Sequence, residues 1–139
     1  MNETITNLIF SIPPGIISGL YAGIVVARYQ RFADLRLQAK KIILEIEYLS
    51  DSNGNRITFT KRKDIPEFSI IGSDLLFLRH KKAADTILQL SKDVKSAIIK
   101  AEVGQIDLYS FSNDYQSWQV SIRSISPSPL QLLRLWGGL

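Results

Sequence analysis

His80 is the only histidine, and so the one side chain whose ordinary pKa would let it trade protons near neutral pH. It has little to work with. The sequence contains no cysteine, which removes thiolate nucleophiles, thiolate metal sites and disulfides together. A metal on His80 would need carboxylates alone or a second subunit. No nucleophile elbow, phosphate loop or zinc-protease helix occurs, and His80 falls on an apolar helical stripe where a half-buried structural histidine is the ordinary occupant. The expectation is a protein that is not an enzyme, with no catalytic residue, no metal and no cofactor.

Phosphate binding is better provided for. Lys61, Arg62 and Lys63 form one basic cluster, and Arg79, Lys81 and Lys82 form another. Guanidinium and ammonium groups hold phosphate through charge-assisted hydrogen bonds, so a nucleotide or a lipid head group would fit if the fold joins the two clusters. The competing reading is a pair of solvated stretches. Nucleic acid is not expected as a partner, because no helix rich in Arg, Asn and Gln stands out to read a groove.

A chain of 139 residues supports one modest core, and 45% hydrophobic with 22% charged residues is the composition of a folded protein. The net charge of +4 is unevenly laid out. All 17 Lys and Arg lie at or after Arg28, while residues 4–27 carry no charge. As a helix these 24 residues measure about 36 Å, enough for a hydrocarbon layer of about 30 Å. A signal peptide would open with basic residues, whereas the first four residues offer only Glu3 and the α-amino group. A buried core helix of this length would normally show polar residues on a recurring face. The stretch therefore reads as an uncleaved transmembrane anchor, residues 1–27, followed by a cytoplasmic helical domain, residues 28–139.

Pro13 and Pro14 leave two layouts. Either the whole stretch spans with a kink near Pro13, the preferred layout, or Ser11 caps a helix that starts at the prolines. Orientation follows from Arg28, Arg31, Arg36, Lys40 and Lys41, which crowd the C-terminal side with no basic residue before the span. The positive-inside rule puts that side in the cytoplasm, hence an inner-membrane location, and lets the five side chains meet anionic lipid head groups.

Ser11, Gly15, Gly19, Gly23 and Ala27 recur at every fourth position and form one ridge of a helix. Lipid tails give helices no hydrophobic reason to associate, so close backbone approach through small residues is what holds membrane helices together. The pattern resembles the glycine zipper of oligomeric membrane proteins, channels and pore-forming peptides among them. That resemblance, confined to residues 15–27, implies a homo-oligomer; packing on another membrane protein is the alternative.

After Ala27 the apolar positions Phe32, Leu35, Ala39, Ile42, Ile46 and Leu49 keep a helical spacing, so the membrane helix is expected to run on to about Ser50. Residues 51–55 read as a turn, and 56–60 alternates polar with apolar, pairing as a short β-hairpin with the run at 68–71. Ser73 offers an N-cap for a helix reaching Val103, with Gly104 as its stop. The stripe Leu76, His80, Ala83, Ile87, Leu90, Val94, Ala97 and Ala101 predicts coiled-coil-like packing. Leu108, Phe111, Tyr115, Trp118, Ile122 and Ile125 predict one more helix, closed by the Ser-Pro-Ser-Pro run at 126–129, and the apolar tail could bring Trp136 to the membrane interface. The expected fold class is mainly α, a transmembrane helix continuing into a small bundle with one short hairpin. The expected function is a self-associating structural subunit or membrane effector; the alternative is an anchored sensor whose basic clusters bind a phosphate-bearing ligand.

Overall fold

The computed structural model describes residues 3–51, 56–61 and 66–134, with the backbone alone at 3–6, 8–12 and 61. It is mainly helical with one short antiparallel hairpin. Helix α1, Glu3–Leu44, runs 42 residues without a break, so its rise is about 63 Å. It passes through Pro13 and Pro14, which excludes the layout in which Ser11 caps a new helix. The side chain of Ser11 lies outside the described residues.

The two ends of α1 live in different surroundings. From Tyr21 onward one face begins to gain cover, and by Phe32, Leu35, Ala39, Ile42 and Ile43 it is fully buried in the core. That is the predicted stripe, with Asp34 and Lys41 turned to water and Arg36 and Lys40 half-buried at its margins. The helix stops at Leu44, six residues earlier than expected, and Leu49 leaves the stripe to lie exposed on a strand.

Strand β1, Glu47–Ser50, pairs antiparallel with β2, Ile57–Lys61, matching Tyr48 to Phe59 and Ser50 to Ile57. The hairpin exists, and β2 is one of its expected strands, but its partner precedes the turn. Residues 68–71 belong instead to helix α2, Pro66–Phe77. A short, mostly apolar run such as Phe68, Ser69, Ile70 and Ile71 fits strand or helix equally well. Here Phe68, Ile71, Gly72 and Leu75 are buried, a helical spacing, behind a proline in the first turn.

Ser73 caps nothing, since its hydroxyl donates to the Ser69 carbonyl inside α2. The chain turns at Leu78, Arg79 and His80 before helix α3, Lys81–Glu102, so the predicted stripe is interrupted at His80 and Leu76 is exposed. Along α3 the buried set is wider than a coiled-coil seam: Ala84, Ser91 and Ile98 join Ala83, Ile87, Leu90, Val94, Ala97 and Ala101. A broad face suits a helix inside a bundle. Gly104 does stop it, with φ 76°.

Helix α4, Leu108–Ser124, is capped by Asp107, whose carboxylate accepts the Ser110 amide at 3.0 Å and is held below its ordinary pKa by Ser110. Phe111, Trp118 and Ile122 are its buried face. Phe111 is fully enclosed and meets Tyr48, Phe59 and Trp118 edge-on at 4.9, 5.4 and 5.7 Å between ring centres. The hairpin is thereby clamped to α4 by aromatic contact. The Ser-Pro-Ser-Pro run ends α4 as expected and leads into the short helix α5, Pro129–Leu132.

Because Phe111 joins both strands to α4, Phe111→Ala should cost about 3–5 kcal/mol, the range for a buried aromatic truncated to a cavity. Thermal unfolding of the full chain, followed by circular dichroism, should register a clearly lowered midpoint.

Candidate functional site at the foot of the apolar helix

Residues 13–20 are all exposed, among them Ile16, Ile17 and Leu20 at 57, 66 and 65%. A methyl group built on Gly15, Gly19 or Gly23 would find nothing within 4 Å, so within the chain the ridge is open. The side of α1 that does meet the rest of the chain is marked by Tyr21, Val25 and Arg28, all half-buried. Gly19 and Gly23 sit two residues before Tyr21 and Val25, about 200° round the helix, so the ridge faces away from the chain's own cover. The Ser18 hydroxyl is satisfied locally, donating to the Gly15 carbonyl at 2.9 Å.

Among the described residues no helix is long and apolar enough to cross a membrane. Residues 13–27, whose side chains are described, give about 22 Å of uncharged helix, short of a hydrocarbon layer of about 30 Å. The predicted span also needs residues 4–6 and 8–12, whose side chains lie outside the described residues.

The five basic residues after Ala27 do not form one surface. Arg28 Nη1 donates to the carbonyls of Gln131 at 3.4 Å and Leu132 at 3.5 Å, and to that of Arg134. Arg31 pairs with Asp74 at 3.6 Å, and Arg36 donates to the Ile125 carbonyl at 3.4 Å. Lys40 is half-buried, while Lys41 lines a shallow groove with Glu45 and Glu67. With α1 upright, Lys40 and Lys41 stand about 20 Å beyond Ala27, some two Debye lengths at physiological salt. Arg28 and Arg31 are the two within reach of a surface at Ala27.

The predicted anion-binding residues are described only in part. Arg62 and Lys63 lie outside the described residues, as does the side chain of Lys61, and any joining with Arg79, Lys81 and Lys82 lies outside with them. Arg79, Lys81 and Lys82 are exposed around the α2–α3 turn. What the tertiary structure adds is a different neighbour for Arg79. A cleft of about 240 Å³ is lined by Arg28, Phe77, Leu78, Arg79, His80, Gln131 and Arg134, at the level where α1 leaves its apolar stretch.

Each wall of this cleft has an identifiable local cause. The α2 end is a Schellman motif, in which the His80 amide donates to the Leu75 carbonyl at 2.9 Å and the Arg79 amide to the Leu76 carbonyl at 2.8 Å. The motif requires a left-handed residue, and Arg79 supplies it at φ 61°. The end of α3 repeats the same pair of bonds, from Gln105 to Lys100 and from Gly104 to Ala101, with the glycine that such a site ordinarily carries. Arginine at the first site is held against its backbone preference.

His80 is 3% exposed. Its Nδ1 accepts the Ser128 amide at 3.1 Å, and its ring stands edge-on to Phe32 at 4.9 Å, joining the turn to α1 and to the segment before α5. Burial lowers its pKa, so the ring is neutral at pH 7. With Nδ1 accepting, the proton sits on Nε2. Another wall is α5 with the chain that follows it, held by Arg28 and by the Tyr21 hydroxyl, which donates to the Leu133 carbonyl at 2.6 Å. Arg134 reaches the cleft by this route. No periodicity announces that contact, because it joins residues 103 to 112 positions apart.

Among the described residues no group of His, Asp and Glu is placed to hold a metal ion. Comparison with protein-family models, curated proteins and solved structures gives no match.

Two outcomes follow from the turn. Arg79→Gly relieves about 1–2 kcal/mol of left-handed strain and loses about 0.4–1 kcal/mol to the greater freedom of the unfolded chain. The variant should therefore unfold at a slightly higher temperature than the parent. For His80, the folded pKa lies below the ordinary value of about 6.5, so the unfolded chain binds the proton more readily. Stability is complete above about pH 6.5 and declines as the pH falls toward the lowered folded value. Unfolding midpoints measured between about pH 7.5 and 5.5 should show this decline, and His80→Asn, which keeps an acceptor for Ser128, should flatten it.

Proposed function

We propose that this chain is a single-pass membrane protein whose copies associate through the glycine ridge, with the helical domain on the cytoplasmic side as an interaction module. It acts by assembling, without chemistry of its own. The observation that carries the reading is that residues 13–27 combine two properties: they carry no charge, and Ile16, Ile17, Leu20, Ile24 and Val26 among them are exposed.

In water such a helix would leave Ile16, Ile17, Leu20, Ile24 and Val26 exposed at about 25 cal/mol per Å², a contiguous patch that soluble monomers rarely keep. In lipid that cost disappears, and the helix closes its own backbone hydrogen bonds except the two that Pro13 and Pro14 cannot donate. The helical backbone from Glu3 to Pro13 supports an anchor longer than the described apolar part, since residues 4–27 together would supply about 36 Å. The basic residues after Ala27, with none before, favour the cytoplasmic placement of the domain.

Association through the ridge is supported by its position. Gly15, Gly19 and Gly23 lie opposite the face that meets the chain's own C-terminal segment, so a second α1 could approach there, while Ala27 at the foot of the ridge borders a groove with Phe77 and Leu78.

The full chain should sediment with membranes after an alkaline wash, and in mild detergent it should run as an oligomer. Gly19→Ile, which puts a branched side chain where backbones would touch, should sediment equally well but run as a monomer. Recovery of the parent from the soluble fraction would remove the anchor, and identical monomers for both chains would remove the ridge.

A further inference from the structure

We infer that the cleft formed by the foot of α1, the α2–α3 turn and the segment after α5 binds the phosphate of an anionic glycerophospholipid. The inference rests on the membrane-anchored reading and gives the membrane-facing end of the domain a ligand.

The charge of the cleft comes first. Arg28, Arg79 and Arg134 line it and no carboxylate does among the described residues. The adjacent acid, Asp74, lines a separate groove and is paired with Arg31. Arg28 is occupied in holding the carbonyls of the C-terminal segment, so its part is to bring Arg134 over the cleft, and Arg79 and Arg134 are the phosphate ligands. His80 lines the cleft beside them. The 22-residue helix α3 starts directly after it, so the positive end of the helix dipole adds to the field there.

Arg79 is the second line of argument. Glycine would suit its left-handed backbone better, as Gly104 shows at the equivalent site of α3. Strain of this kind is retained where a side chain is needed. Arginine is the residue that offers a planar pair of donors to phosphate oxygens.

The surroundings then choose between a lipid and a free anion. An apolar groove of about 280 Å³, lined by Ala27, Phe77 and Leu78 together with Arg28, Arg31 and Asp74, shares a wall with the cleft. Phe77 is 78% exposed beside it. Inorganic phosphate has no use for this surface, whereas the glycerol backbone and first methylenes of a lipid would cover it. At about 240 Å³ the cleft itself is below the roughly 300–1,000 Å³ of pockets for drug-sized ligands, a size for a head group.

The test is native mass spectrometry of the detergent-solubilised full chain with added phosphatidic acid, phosphatidylcholine, or inorganic phosphate. Retention of phosphatidic acid in preference to phosphatidylcholine is expected, with no displacement by inorganic phosphate at the same concentration. Arg79→Gly and Arg134→Gln should each weaken retention about tenfold, the loss of one charge-assisted contact. Lys95→Gln, which removes an equal charge from the exposed side of α3, should leave it unchanged. Because Arg79→Gly is expected to fold more stably than the parent, weaker binding by that variant is not a folding defect. Equal retention of both lipids, equal losses in all three variants, or displacement by inorganic phosphate would each overturn the lipid assignment. Vesicle sedimentation separates the two readings: a chain that pellets with phosphatidylcholine vesicles yet shows no lipid preference keeps its anchor and loses this site.

Discussion

A helix satisfies its backbone internally, and α1 uses that property to belong to two environments at once. Its last third is a central piece of the core, with Phe32, Leu35, Ala39, Ile42 and Ile43 covered by α2, α4 and the rest of the domain. Its described apolar part before Tyr21 is exposed throughout. Because the helix is unbroken between these regions, the direction of the apolar stretch is set by packing in the domain. The domain thus acts as the base of a lever, and every functional reading of the chain depends on what surrounds the lever's far end.

The junction is where that dependence becomes local chemistry. Tyr21 and Arg28 tie the segment after α5 to the helix through carbonyl oxygens, so the attachment depends on backbone position and tolerates variation in the side chains it holds. His80 fastens the α2–α3 turn to the same place through Ser128 and Phe32. Three distant parts of the chain therefore meet around the last apolar turn of α1.

The two Schellman motifs show how local rules and use part company. Gly104 and Arg79 fill the same conformational role at the ends of α3 and α2. At Gly104 the residue type alone announces the helix stop. At Arg79 nothing in the residue type does, and the α2–α3 boundary is invisible to periodicity because Leu76, His80 and Ala83 keep their helical spacing across it. Only hydrogen bonds from Arg79 and His80 back to Leu76 and Leu75 reveal that the chain has turned.

What the sequence by itself determined is the part governed by contacts between near neighbours. The mainly helical class, the stripe from Phe32 to Ile46, α4 with its Ser-Pro-Ser-Pro stop, the strand at 57–60 and the uncharged stretch before Arg28 all follow from residue spacing within one element. Tertiary structure alone decided the rest. It ended α1 at Leu44 so that Tyr48 could face Phe111, made residues 68–71 helical where a short, mostly apolar run fits strand or helix alike, and set Arg134 beside Arg28 and Arg79. Each of these outcomes depends on groups far apart in the chain, and a local pattern of hydrophobicity carries no information about which distant surface will arrive to cover it.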